Sequence, residues 1–220
     1  MPAHHSATTT KGPDMTTTSA RSAVRSATAA DRADLTRVLA AAFADDPVFA
    51  WLIPDRADRL RRLEPIFDAF ADGFARHDET HLARDGAVHG VAMWAPPGAE
   101  PIHPEDEPAF DERIGRIVGE HAARVEICLE RFAAVHPHEP VWYLQFLGVD
   151  PAHQGRGLGS LLLRDVLDRA DAEDRPAYLE ATSPRNRALY ERHGFTCIAG
   201  IPLPDGPTAY AMTRPKRSSR

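Results

Sequence analysis

The chain has 220 residues, 43% of them hydrophobic, a formal net charge of −6 and two cysteines. That is enough apolar material for one sizeable core, or at most two domains, and it excludes wholesale disorder. The acidic balance argues against nucleic acid as the main partner, because binders of the phosphate backbone are usually basic. No apolar run approaches the ~20 residues that a membrane span needs. Cys128 and Cys197 stand at no metal or redox spacing, and read as buried or half-buried thiols of a reducing cytoplasm.

Residues 1–20 are rich in Thr, Ser, Ala and Pro and lack an apolar stretch, which reads as a mobile tail and not a signal peptide, with Met15 an alternative start. A domain follows over 21–214. Residues 22–28 suit an edge strand. Leu35, Val38, Leu39 and Phe43 mark one face of a helix over 31–43, stopped by Asp45-Asp46-Pro47. A short helix covers 48–53, before Pro54. Leu60, Leu63, Phe67, Phe70 and Phe74 recur at three and four residues, so 58–76 is an amphipathic helix. Segments 79–83 and 87–95 make a hairpin around Asp85-Gly86. An acidic loop over 100–112 leads into a helical stretch, 110–135, broken near Gly119. A linker, 136–140, then precedes strand 141–149, helix 157–172, strand 177–182, helix 186–193 and a strand pair at 196–199 and 208–213. The basic end, 215–220, reads as a frayed, solvated tail. Strand–helix alternation in the second half indicates a mixed α/β (α+β) sheet.

Chemistry concentrates at Gln154-Gly155-Arg156-Gly157-Leu158-Gly159-Ser160, a Gly-rich turn between an apolar strand and an amphipathic helix. Helix N-termini carry unpaired N–H groups and a partial positive charge, and glycines let a ligand approach the backbone, so this is a phosphate site. A Walker-type loop fails for want of the Gly-Lys-Ser/Thr. A dinucleotide fingerprint fits poorly: Ser160 stands where the third Gly should fall, and five residues separate strand from first Gly, although Glu180 stands where the acidic partner would. The third reading fits residue for residue. Gln154-x-x-Gly157-x-Gly159, followed by Asn186 and by Tyr190-x-x-x-Gly194-Phe195, resembles the paired motifs of the GNAT superfamily of N-acetyltransferases. Residues 136–143, 148–155, 179–186 and 204–207, and Ala40-Ala-Ala-Phe-Ala-Asp-Asp-Pro47, are similar to puromycin N-acetyltransferase-like members.

This resemblance implies a mixed central sheet of about six or seven strands flanked by helices, splayed at the strand before the loop. It implies acetyl-CoA as co-substrate, a small-molecule amine acceptor, possible antibiotic resistance, a cytoplasmic monomer or homodimer, and no metal. Gly155, Arg156, Gly157, Leu158, Gly159 and Ser160, with Gln154, would hold the pyrophosphate. The freed main chain of Phe146, Leu147, Gly148 and Val149 would run beside the pantetheine arm, with the Leu147 N–H facing the acetyl oxygen. Tyr190 is the candidate general acid, since a phenol at ≈ 10 can protonate a thiolate at ≈ 8.5; its bland alternative is a core anchor. Asn186 is a candidate helix cap, a candidate cofactor ligand, or both. Glu180 either relays the acceptor's proton or pairs with Arg185 or Arg187. Asp46 stands where the puromycin-type enzymes carry an aromatic residue, and with Trp51, Trp94, Trp142 and Tyr143 is a candidate for the acceptor pocket. His136 and His138 look like half a metal site, but flank a Pro in a linker with no third ligand. His153 is a loop residue beside the phosphates. Two other functions fit the same motifs: a protein lysine or N-terminal acetyltransferase, and a silent CoA-binding regulatory module.

Overall fold

The computed structural model describes residues 23–219, so the tail expected over 1–20 lies outside the described residues. Strands β1 (Ala23–Ser26), β2 (Thr80–Asp85), β3 (Ala87–Ala95), β4 (Trp142–Val149), β5 (Ala177–Ala181), β6 (Thr196–Pro202) and β7 (Thr208–Arg214) form one sheet, ordered β1-β2-β3-β4-β5-β7-β6. Only the β4–β5 pair is parallel. Helices α1 (Arg32–Phe43), α2 (Pro47–Leu52), α3 (Arg56–Phe74), α4 (Glu107–Val118) and α5 (Ala122–Ala133) bury their apolar sides on one face. On the other lie α6 (Leu158–Ala172) and α7 (Pro184–Glu191).

The helices begin where side chains can satisfy their free amides. Asp55 accepts from Asp58 N at 2.7 Å, so α3 starts ahead of the 58–76 expected from periodicity. Asp46 accepts from Val48 N and Phe49 N, and Pro47 opens α2. The stretch expected as one broken helix is two, separated at Gly119, whose φ is +54°. At the basic C-terminus Lys216, Arg217 and Ser218 are exposed, and Ser218 N and Oγ donate to the Asp174 carboxylate at 2.8 and 2.7 Å.

β4 decides the shape of the site. Trp94 pairs with Leu144 and Met93 with Phe146, which leaves Gln145 as a bulge. One extra residue inverts the alternation: Trp142 and Leu144 face the α6 layer before it, and Leu147 and Val149 face that layer after it. β5 pairs with β4 only at Trp142, Tyr143 and Leu144. Beyond that point the two strands part, which is the expected splay. Asp150 N bonds to His89 O on the β3 side. Counting back along the alternation, the amides of Leu147 and Val149 face the gap that β5 leaves.

Candidate active site

The end of β4 feeds the Gly-rich turn. Asp150 accepts from Ala152 N at 2.9 Å, and Gln154 Nε2 donates to Val149 O at 3.1 Å, folding the turn back on its own strand. Gly155 and Gly157 have φ of +76° and +83°, and an added Cβ would meet nothing at either; glycine is required there by conformation and not by space. Gly157 is the N-cap of α6, and no side chain caps the helix. The first intrahelical bond is Leu161 N to Gly157 O, so the amides of Leu158, Gly159 and Ser160 have no acceptor within the helix. They border a groove of about 750 Å³ that runs from Gly155 past Val149, Leu147 and Leu189 to Tyr190. Arg156 is exposed and folds onto Ala152 O at 3.2 Å. Ser160 Oγ is engaged by His193 Nε2 at 2.9 Å.

A second cavity, about 200 Å³, lies on the α1–α5 side of the sheet. Phe43, Phe49, Phe70, Phe110 and Phe132 line it, with Glu180, Thr182 and Gln145 among its few polar groups. Phe43, Leu147, Asn186 and Tyr190 line both spaces, so groove and cavity are neighbours there. Glu180 is buried in the cavity wall. Its Oε2 accepts from the Tyr143 hydroxyl at 2.9 Å, while Oε1 makes no hydrogen bond and lies 3.8 Å from His136 Nδ1. Burial, reinforced by the Glu180 charge, drives the Tyr143 phenol far above its ordinary pKa.

Tyr190 stacks edge-on against Phe195, and its hydroxyl bonds to nothing among the described residues. Burial and then the charge of Asp46 raise its pKa, so the phenol keeps its proton. Asp46 itself is 7% exposed. Desolvation raises its pKa against the hydrogen bonds it accepts. One of its oxygens caps α2 and the other accepts from the Thr182 hydroxyl; Asn186 Nδ2 donates to the same Thr182 Oγ1 at 3.4 Å. The Cys128 thiol, also in the cavity wall, is pushed up to about 12, by burial first and then by the charges of Glu180 and Asp46.

Several expected residues lie elsewhere. Trp51, Trp94 and Trp142 line neither space. Trp51 Nε1 donates to Pro204 O at 2.8 Å, and its ring is packed so tightly on Gly206 that a Cβ there would stand 2.3 Å from it. Trp94 and Trp142 face α6 because both lie on the same side of the bulge phase as Leu144; Trp142 Nε1 bonds Glu173 at 3.0 Å under the Arg169 guanidinium. Asn186 is not the cap of α7. Ser183 is, accepting from Asn186 N at 3.2 Å. Glu180 pairs with neither Arg185 nor Arg187, the latter being held by Glu191 at 2.8 Å. His153 borders the groove while stacked on His89. Thr182, Gln145 and His136 were not expected at the site. Gln145 had a signal, as the polar residue inside the apolar run 141–149.

A family model for the acetyltransferase (GNAT) family matches residues 65–195. A mycothiol acetyltransferase from Beutenbergia cavernae is 52% identical over 64 residues, 26% of this chain and 22% of that protein. Another from Thermomonospora curvata is 35% identical over 103 residues, 42% of this chain and 31% of that protein. The chain thus spans about a fifth to a third of these curated relatives. A solved structure described as histone acetyltransferase HPA2 and related acetyltransferase, from Corynebacterium glutamicum, is 33% identical, covers 89% of this chain and 96% of its own, and superposes with a TM-score of 0.68. A motif pair on a splayed sheet, a family match over more than half of the chain and a relative aligned along nearly its whole length lead to one conclusion: this chain belongs to the acetyltransferase (GNAT) family.

Proposed function

We propose that the chain transfers the acetyl group of acetyl-CoA to the primary amine of a small molecule with an apolar body, directly, within a ternary complex. The observation that carries this reading is the junction at Leu147, Asn186 and Tyr190, where an amide-lined groove adjoins a Phe-lined cavity. The free amides of the α6 N-terminus suit a pyrophosphate, and the unpaired edge of β4 suits an extended amide-bearing arm. Acetyl-CoA supplies the activated acetyl thioester. The Leu147 N–H polarises its carbonyl. Glu180 takes one proton from the entering ammonium; Tyr190 gives its proton to the departing thiolate and regains one from the attacking nitrogen as the amide forms. Asn186 and Thr182 hold the junction open between the two ligands. Both cysteines are free, and a buried thiol raised to about 12 is a poor nucleophile, which supports direct transfer over an acyl-enzyme.

The cavity's aromatic lining favours an acceptor whose amine sits on an aromatic or aliphatic group, an aminoacyl antibiotic of puromycin type among them. A peptide acceptor would need an open groove, and α4 and α5 cap this cavity with Phe110, Ile114, Val118 and Phe132. The test is release of free thiol from acetyl-CoA across a panel of puromycin, phenethylamine, agmatine, spermidine, amino acids and a lysine peptide. Turnover is expected with puromycin or phenethylamine. Turnover with the peptide alone would replace this reading with a protein acetyltransferase; acetyl-CoA binding without turnover on any amine would replace it with a regulatory module.

A further inference from the structure

We propose that His136 carries the acceptor's proton from Glu180 to solvent. The inference deepens the function above and rests on Glu180 as the base. Acetylation of a protonated amine by a thioester yields amide, thiol and one proton, and that proton has to cross the protein. The Glu180 side chain is only 4% exposed. Tyr143 occupies Oε2, and Oε1 is buried without any hydrogen bond. Such an oxygen is costly to leave unmatched, so it marks where a proton or its carrier arrives. The Tyr178 phenol also acts on this carboxylate, and His136 Nδ1 lies 3.8 Å from its Oε1. That gap is just beyond a hydrogen bond, and a small ring rotation or one water closes it.

His136 spans the boundary. Its ring packs edge-on against Tyr143 and Tyr178, with centroids 4.8 Å from each, yet 36% of the side chain is exposed. The other titratable groups facing Glu180 come from β4, β5 and α5: the Tyr143 and Tyr178 phenols and the Cys128 thiol. All three are buried, and desolvation with the Glu180 charge raises their pKa, so they hold their protons. Histidine is the side chain that takes up and gives up protons near neutrality. The steps balance. The ammonium N–H bond breaks with its electron pair left on nitrogen, and Glu180 gains O–H. Glu180 passes that proton to Nδ1 of a neutral His136, which releases the proton on Nε2 to water and regains its starting tautomer by exchange. His136 touches no reacting atom; it is a relay that acts through Glu180.

The test uses the full chain with acetyl-CoA and phenethylamine, comparing wild type, His136→Gln and Glu180→Gln. His136→Gln is expected to lower kcat about tenfold or more, with KM for acetyl-CoA within about twofold, and added imidazole is expected to restore several-fold of it. Glu180→Gln should lose activity that imidazole does not restore. Independently of any acceptor, the His136 ring titration followed by NMR should move on Glu180→Gln. A His136→Gln kcat within twofold of wild type, a loss that imidazole leaves untouched, or a His136 titration indifferent to Glu180→Gln would overturn the relay. Full activity in Glu180→Gln would instead remove the base on which it rests.

Discussion

Tyr190 is the residue on which the proposed chemistry turns, and its setting fits one direction of proton flow. Burial and the Asp46 charge hold the phenol protonated, which suits a donor to a nascent thiolate and disqualifies a base. Tyr190→Phe keeps the ring contact with Phe195 and removes only the donor. It should lower kcat about 10–1000-fold with little change in acetyl-CoA affinity; steady-state kinetics and calorimetry on the same preparation separate the two. Gly157 makes the complementary case for binding. At φ +83° with open space around it, an alanine is penalised by conformation alone, about 1–2 kcal/mol. Relief of that strain would turn the α6 amides away from the groove. Gly157→Ala should therefore weaken acetyl-CoA binding roughly tenfold, an energy of about 1.4 kcal/mol, while Tyr190-dependent chemistry at saturation persists; a titration calorimeter reads the first and kcat the second.

At the scale of elements, the bulged strand and the first helix are locked together. Gly148 follows Gln145 on β4, and a Cβ there would stand 2.8 Å from Leu39 Cδ2 and 3.0 Å from Ala42 Cβ. The absence of a side chain lets α1 lie against the strand at the point where the groove begins. Gly148→Ala should overpack that contact and cost about 1–3 kcal/mol, seen as a lower urea midpoint with an unchanged m-value. Because α1 ends in Phe43, which lines both spaces, the same change should also raise the KM for the amine. The corner after α1 is fixed separately: Arg59 is 4% exposed and donates to Ala44 O and Ile53 O at 2.8 and 2.7 Å, which holds Asp46 and α2 in place.

Across the whole molecule, the sheet and the α6 layer are joined by charge as well as by apolar packing. Glu79, just before β2, accepts from Arg169 Nη1 at 2.9 Å and from His81 at 2.9 Å, and His81 Nδ1 reaches Asp165 on α6 at 2.9 Å. Burial opposes ionisation of Glu79, but those partners outweigh it and bring its pKa down to about 2. The folded-state value lies below the unfolded one, so this stabilisation is complete above the ordinary glutamate range and is lost as pH falls toward 2. Thermal unfolding between pH 5 and pH 2 (a window set roughly by the ordinary and folded-state carboxyl values) should therefore steepen in wild type and be flatter in Glu79→Gln. Equal slopes would mean that the pair contributes nothing to acid stability. Among the described residues no helix is long and apolar enough to cross a membrane.

Much of this was written locally. Periodicity placed the helices and strands, turn glycines placed the loop, and two short motifs placed Tyr190, Asn186 and the α6 amides, because each depends on backbone preferences of neighbouring residues. The sequence did not disclose the phase of β4. Whether Gln145 is paired or left over depends on its partner strand, and that one residue sends Trp94 and Trp142 into the α6 layer and turns Phe146 toward the other face. Nor did it disclose the cavity, whose phenylalanines come from α1, α2, α3, α4, α5 and β4, or the approach of His136 to Glu180. Periodicity marks such side chains only as buried, since the same apolar spacing serves a filled core and a cavity wall. What stands beside them is set by long-range packing, which brings distant segments together only when the chain is folded.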